Sequence, residues 1–284
     1  MFIASTHNYI LFFTNRGRCH WLKVHEIPEA GRAARGRALA NIMELQQGEK
    51  IRAYINIRNF DEPGFIVMAT TNGIVKKTAL EDFSHPRKNG IAAITIEEHD
   101  ELLDARLTDG DHQIILAKSS GFVVRFPETE IRAMGRTAMG VKGITLDEGE
   151  KCISMVTTKR FDTALLAVTD NGFGKRSRVE DYRLTRRGAR GVITLKAHEK
   201  VGALIGLLDV NDDDDLIIIT THGIVNRQHV SDIRLTGRNT SGVRLVRLMA
   251  GDVISALARV PKSDEETEGE LPLEDPDGQI DLFL

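Results

Sequence analysis

Three landmarks recur in phase five times along this chain, at intervals of about fifty residues. The first is a glycine that follows a short apolar run: Gly17, Gly73, Gly121, Gly172 and Gly223. The second is a glycine 17 or 19 residues later: Gly36, Gly90, Gly140, Gly191 and Gly242. The third is a polar turn, at Gln47-Gly48, His99-Asp100, Glu148-Gly149, Glu199-Lys200 and Ala250-Gly251. A chain with such a period is an array of one supersecondary unit whose copies bury apolar surface against their neighbours.

The last copy shows what the unit is. Leu216-Ile217-Ile218-Ile219-Thr220 is a short, β-branched apolar run, the composition of a buried strand. His222-Gly223 is a tight turn, and Ile224 to Arg227 is the return strand. A loop of about a dozen residues reaches Gly242. Val243 to Leu248 then alternates apolar and basic residues, and Val253 to Ala258 closes the unit as a fourth strand. Asn72-Gly73 and Asn171-Gly172 are the strongest hairpin signals. Four strands per repeat of this length predict an all-β, propeller-like array of four-stranded blades. WD40 repeats are excluded by the missing Trp-Asp signature, and kelch repeats by the single tryptophan, Trp21. Complete repeats are expected at about 6–57, 58–108, 109–158, 159–210 and 211–262. Phe2-Ile3-Ala4-Ser5 resembles the fourth strand of a preceding unit, so an orphan strand and a longer parent protein are expected. Residues 263–284 form an acidic tail without periodicity, expected to be disordered.

The 41% of hydrophobic residues marks a globular chain. Cys19 and Cys152 are far apart and share no metal-like spacing, which argues against a disulfide scaffold and fits a reducing cytosol. No apolar run approaches the roughly 20 residues of a membrane span. The start lacks the pattern of a signal peptide. A cytoplasmic chain with no membrane partner is expected.

Charge is distributed unevenly. The stretches from first to second glycine hold 21 of the 38 basic residues and 9 of the 41 acidic ones. Nine carboxylates lie between Asp264 and Leu284, with no Lys or Arg among them. An arginine stands four residues before the second glycine in four units, as Arg32, Arg136, Arg187 and Arg238; the short second unit has Arg87-Lys88. After the first glycine come Arg18, Lys76-Lys77, Arg125, Lys175-Arg176 and Arg227. With Arg35, Arg186 and Arg190 these are the candidate phosphate contacts. Side chains supply charge, and glycines let backbone N–H groups approach phosphate, in contacts blind to base sequence. Equivalent loops in a propeller share one rim, which would then carry a basic stripe. A single basic cluster is usually a solvated face; five in register point to a polyanion partner. Sparse aromatics (Phe83, Phe126, Phe173, Tyr182) favour duplex over single strands. Phe83, Ile131, Tyr182 and Ile233 read as plugs that pack each loop onto its blade, and Asp212 to Asp215 as a solvated turn. Gly172-Phe173-Gly174-Lys175 lacks the P-loop spacing. No catalytic residue, metal site or cofactor is assigned to this chain.

Three segments carry a family resemblance: Ala69 to Thr78, Asn171 to Arg176, and Gly237-Arg238-Asn239-Thr240-Ser241-Gly242-Val243. They are similar to the C-terminal DNA-wrapping domain of DNA gyrase A, of the type IIA topoisomerases, and the likeness runs in order to about residue 260. It implies a β-pinwheel whose blades exchange strands and whose basic rim wraps duplex DNA. It also implies a bacterial, nucleoid-associated parent that supercoils DNA negatively. That parent is a heterotetramer of gyrase A with gyrase B, and it uses ATP and Mg outside this chain. The family's Gln-Arg-Arg-Gly-Gly-Lys-Gly box is absent; Thr185-Arg186-Arg187-Gly188-Ala189-Arg190-Gly191 resembles a degenerate copy. The rival readings are the equivalent domain of topoisomerase IV and, more distantly, a propeller that docks peptides or proteins. If the acidic tail competes for the rim, deleting Asp264–Leu284 tightens duplex binding at low salt, as a titration of labelled DNA would show; unchanged affinity removes that role.

Overall fold

The computed structural model describes residues 4–28, 38, 42–159 and 162–262, and these form strands and short 3-10 turns only. The first repeat supplies β1 (Tyr9–Thr14), β2 (Arg18–Lys23) and β3 (Ile51–Ile57). The second supplies β4 (Phe65–Thr70), β5 (Ile74–Ala79), β6 (Ile91–Ala92) and β7 (Leu102–Thr108). The third supplies β8 (Gln113–Lys118), β9 (Phe122–Pro127), β10 (Val141–Lys142) and β11 (Cys152–Thr158). The fourth supplies β12 (Ala164–Thr169), β13 (Phe173–Arg178), β14 (Val192–Ile193) and β15 (Leu204–Val210). The fifth supplies β16 (Asp215–Thr220), β17 (Val225–His229), β18 (Val243–Arg244) and β19 (Ile254–Val260).

These strands make five antiparallel sheets, and each complete sheet takes one strand from the repeat that follows it. The orders are β3-β1-β2-β6, β7-β4-β5-β10, β11-β8-β9-β14 and β15-β12-β13-β18, with a three-stranded β19-β16-β17. The third strand of each unit is therefore donated to the preceding sheet. It is also shorter than its sequence pattern: in the last repeat only Val243 and Arg244 pair, because Leu245 and Val246 turn to donate their N–H groups to the Gly172 carbonyl. Of the orphan strand expected at Phe2–Ser5, Phe2 and Ile3 lie outside the described residues, and Ala4 and Ser5 carry no strand pairing. The acidic tail also lies outside them.

The first strand of each of the first four hairpins is buried on both faces, which explains an apolar run without alternation, whereas in β16 Ile217 and Ile219 are half-buried. Its two faces serve different neighbours. Ile66 and Met68 pack backwards with Leu11 and Phe13, while Val67 and Ala69 pack forwards with Ile114 and Leu116. The same sorting puts Ile115 and Ala117 with Leu165 and Ala167, and Leu166 and Val168 with Leu216 and Ile218. At the inner edge β3, β7, β11, β15 and β19 follow one another in contact. The second strands and the donated strands thus form the outer edge. A buried threonine ends the first strand in four repeats, and its hydroxyl accepts an N–H from across the turn. Thr70 takes that of Ile74, Thr169 that of Phe173 and Thr220 that of Ile224, each at 3.3 Å, and Thr14 that of Arg18 at 3.4 Å.

The second glycine has a structural reason in the donated strand. At Gly140, Gly191 and Gly242 a Cβ would lie 2.6, 2.6 and 2.5 Å from the carbonyl oxygens of Val75, Val123 and Gly174, on the second strand of the preceding blade. These glycines also have positive φ, so a side chain meets both strain and a backbone clash. Gly149 has a similar φ of 77° with no atom within 4 Å. Gly191→Ala is expected to cost roughly 2 kcal/mol or more and Gly149→Ala about 1 kcal/mol. Denaturant midpoints of the two variants check this, and equal losses would contradict the close approach.

Candidate nucleic-acid interface

In the second to fifth repeats the loop before the second glycine begins at a 3-10 turn with an apolar residue at its end driven into the blade, whereas Ile27 at this place in the first repeat is exposed. Phe83, Ile131 and Tyr182 are fully buried and Ile233 nearly so, as plugs. Beyond the plug the chain runs along the outer strand of the preceding blade. Met134 donates its N–H to the Lys77 carbonyl (2.8 Å), Thr185 to Arg125 (2.8 Å) and Thr236 to Arg176 (2.9 Å). Each loop is thereby spread over the outer edge and pinned by backbone bonds.

The predicted basic residues divide by position. Lys77, Arg125 and Arg176 stand four residues after the turn glycine, and all three are buried. Lys77 approaches the Glu128 carboxylate at 3.7 Å, and Glu128 is itself fully buried beneath Thr108. Arg125 donates to the Val179 and Tyr182 carbonyls at 2.7 and 2.8 Å. Arg176 donates to the Ile233 carbonyl at 2.6 Å and pairs with Asp212. Lys76 and Lys175, one position earlier, are buried too. Lys76 Nζ donates to the Ala93 carbonyl at 2.7 Å and to that of Arg136. Lys175 Nζ donates to Gly237 at 2.7 Å, to Arg238 and to Thr240 Oγ1 at 3.1 Å. All five side chains thus face carbonyls and carboxylates inside the fold, most of them on the next repeat.

The arginines four residues before the second glycine make one repeated contact. Nη1 of Arg136, Arg187 and Arg238 donates to the carbonyls of Ala92, Lys142 and Ile193 at 3.4, 3.2 and 3.1 Å, on the donated strands. They hold neighbouring loops together with part of the guanidinium still accessible. Arg18 is half-buried, bonded to the Asn89 and Gly90 carbonyls. Arg87, Lys88, Arg186, Arg190 and Arg227 are exposed. Lys88 lies 2.9 Å from Glu44, Arg190 3.6 Å from Asp147, and Arg227 is paired with Asp215. Arg32 and Arg35 lie outside the described residues.

Sequence reasoning missed a row. Arg132, Arg183 and Arg234 each follow the plug directly and are exposed, at a single offset in the last three repeats. That repeated offset was the signal available for finding them. Lys142 and Arg244 on the donated strands are exposed as well. The turn at Asp212 to Asp215 differs from a solvated one: Asp214 and Asp215 are buried, Asp214 accepting the Asn211 N–H at 2.7 Å and Asp215 holding Arg227 and His229. Among the described residues no group of three or more His, Cys, Asp or Glu is placed to hold a metal ion, and no helix is long and apolar enough to cross a membrane. Cys19 and Cys152 are buried free thiols whose pKa values burial pushes up, the latter to about 12.

Sheets completed by the next repeat, around a shared inner edge, with arginine loops laid over the outer one, define a strand-exchanging β-propeller with a cationic rim. The chain belongs to the family described as the DNA gyrase C-terminal domain, beta-propeller, whose profile matches residues 8–53, 64–109, 114–159, 163–211 and 214–261. It is 46% identical to the A subunit of DNA gyrase from Clostridium acetobutylicum over 266 residues, covering 94% of this chain and 32% of the relative. Identity is 41% to that of Escherichia coli over 268 residues, covering 94% and 30%. The chain therefore spans about a third of the length of these relatives. Its fold matches the C-terminal domain of DNA topoisomerase IV with a TM-score of 0.84 and 28% identity, over 90% of this chain and 80% of that one. It matches a DNA gyrase A C-terminal domain with a TM-score of 0.77 and 22% identity, over 90% and 84%.

Burial above all, with the nearby guanidiniums of Arg136 and Arg238 and against the opposing carboxylates of Asp82 and Asp181, lowers the pKa of Lys76 and Lys175 to about 8. An unfolded lysine titrates near 10.4. Between about pH 8 and that value the unfolded chain binds more protons, so these groups add stability as pH rises. The difference in unfolding free energy between the native chain and a Lys175→Met variant should therefore rise with pH across that window. A difference independent of pH would contradict the shift.

Proposed function

We propose that this chain binds duplex DNA along its outer edge without reading base sequence, and wraps it as the C-terminal part of a DNA gyrase A protein. The observation that carries this reading is the recurrence of an exposed arginine, Arg132, Arg183 and Arg234, on loops pinned at equivalent places to successive blades. Positive charge repeated at a fixed offset along a rigid curved edge suits a polymer with regularly spaced phosphates. Arg186, Arg190, Lys142 and Arg244 extend the row. The outer strands and loops offer no recognition helix among the described residues, so contact falls on the backbone of the duplex. In the parent the wrapped segment supports ATP-dependent negative supercoiling in the bacterial cytoplasm. The rest of gyrase A, gyrase B, ATP and Mg supply the chemistry outside this chain. The structural likeness to a topoisomerase IV domain supports the second reading of the same site, but the higher identities fall on gyrase A.

Duplex fragments of about 20 and about 150 base pairs separate binding from bending, since DNA is stiff over roughly 150 base pairs. The longer fragment should bind clearly better, with a steep loss of affinity as salt rises. Changing Arg132, Arg183 and Arg234 together to Ala should weaken binding to all sequences alike and reduce the slope of log affinity against log salt by about 2 to 3. Weak, salt-insensitive binding with no length preference would overturn the reading in favour of peptide or protein docking.

A further inference from the structure

Lys76 and Lys175 occupy the same place in two repeats, three residues after the turn glycine, on the outer strand of the blade. Neither side chain reaches solvent. Both ammonium groups point into the loop of the following repeat: Lys76 at the carbonyl of Arg136, Lys175 at those of Gly237 and Arg238 and at the Thr240 hydroxyl. Lys76 also holds Ala93, just beyond the strand that the second repeat donates backwards. We propose that these two lysines are positioning residues for the cationic edge: each fixes the arginine loop of the next repeat, and acts on a polyanion only through the arginines of that loop.

Three observations support the assignment. The blade itself does not need the lysine, because His20 and Val124 stand at this place in the first and third repeats and their sheets form in the same order. The loop that faces Val124, Thr185 to Gly191, has no ammonium clamp; Thr185 is bonded to the Arg125 carbonyl, and the Arg187 N–H donates to Glu130 at 2.8 Å. Finally, the clamp is electrostatically costly. It buries an ammonium and brings it near the guanidinium of Arg136 or Arg238, with only Asp82 or Asp181 in partial compensation, and both lysines are held at about pKa 8. A cluster of like charge is relieved by a polyanion, which would favour the protonated lysines. Duplex binding then takes up protons near pH 8, and affinity falls as pH rises through that value.

The proposal rests on the DNA-binding reading, and its test keeps the two apart. The Lys76→Met, Lys175→Met double variant replaces each lysine with an apolar chain that fills a similar space. Against the 150-base-pair duplex at fixed salt it should bind about tenfold more weakly, the scale of lost hydrogen bonds to charged groups. Its salt slope should stay within about half a unit of the wild type, because each lost phosphate contact would remove about 0.9. From pH 7 to 9 the wild type should lose affinity and the variant should not, a difference that a purely structural role does not produce. Amide exchange should accelerate at Met134 and Thr236 but not at Thr185. Because the variant can fail to fold, the wild-type chain is also treated with an amine-reactive label. Lys76 and Lys175 should stay unlabelled with and without duplex, while Lys142, exposed on its donated strand, labels freely and is protected by DNA. A slope reduced by nearly two units, or labelling of the buried pair that DNA suppresses, makes them direct contacts and overturns the proposal. If the wild type binds no duplex, the rim reading fails, and the clamp is decided by amide exchange alone: unchanged rates at Met134 and Thr236 reject it.

Discussion

Each complete sheet depends on a carbonyl oxygen that accepts two backbone N–H groups from the repeat that follows. Gly17 takes those of Ala93 and Ile94, and Gly73 those of Gly143 and Ile144. Gly121 takes those of Thr194 and Leu195, and Gly172 those of Leu245 and Val246. The donated segment reaches this acceptor only by lying against the outer strand, so close that its leading glycine tolerates no Cβ at Gly140, Gly191 or Gly242. The outer edge of one blade is therefore made from its neighbour. In the fifth sheet no described strand occupies the corresponding place, and β17 alternates between exposed and half-buried residues. Coupling between blades is thus part of secondary structure here, as expected for an array whose copies cannot bury their surfaces alone.

The same geometry divides the basic residues into two populations. A 3-10 turn is too short to satisfy its own carbonyls, and in this fold those carbonyls face the outer strand of the preceding blade. Lys77, Arg125 and Arg176 stand opposite and supply the donors. A buried cation is tolerable only with such partners, and an arginine fork meets two carbonyls at once, as Arg125 does. Directly beyond the plug Arg132, Arg183 and Arg234 face outwards, while Arg136, Arg187 and Arg238, farther along, reach carbonyls of the donated strands. Inward charge thus sits on the outer strand and outward charge on the loop laid over it, so the cations that hold the blades together also set the spacing of those offered to a partner.

Much of this was legible in the residues. The phase of the landmarks counts the blades, because every repeat must solve the same turn and the same close approach with glycine. An unalternating run such as Ala164 to Val168 announces a strand covered on both faces. The crowding of Lys and Arg between the two glycines locates the cationic edge. Local turn chemistry and hydrophobic pattern are enough to dictate the periodic unit, its strands and the side of it that carries charge. They leave open which sheet receives the third strand, because β6, β10, β14 and β18 pair with partners about seventy residues away. They leave open the fate of each cation as well. Lys175-Arg176 and Arg186 look equally basic in the sequence, but the first two point at carbonyls of the next blade and the last at solvent. That choice is made by packing between repeats, where a side chain's partners lie on another blade and leave no local trace.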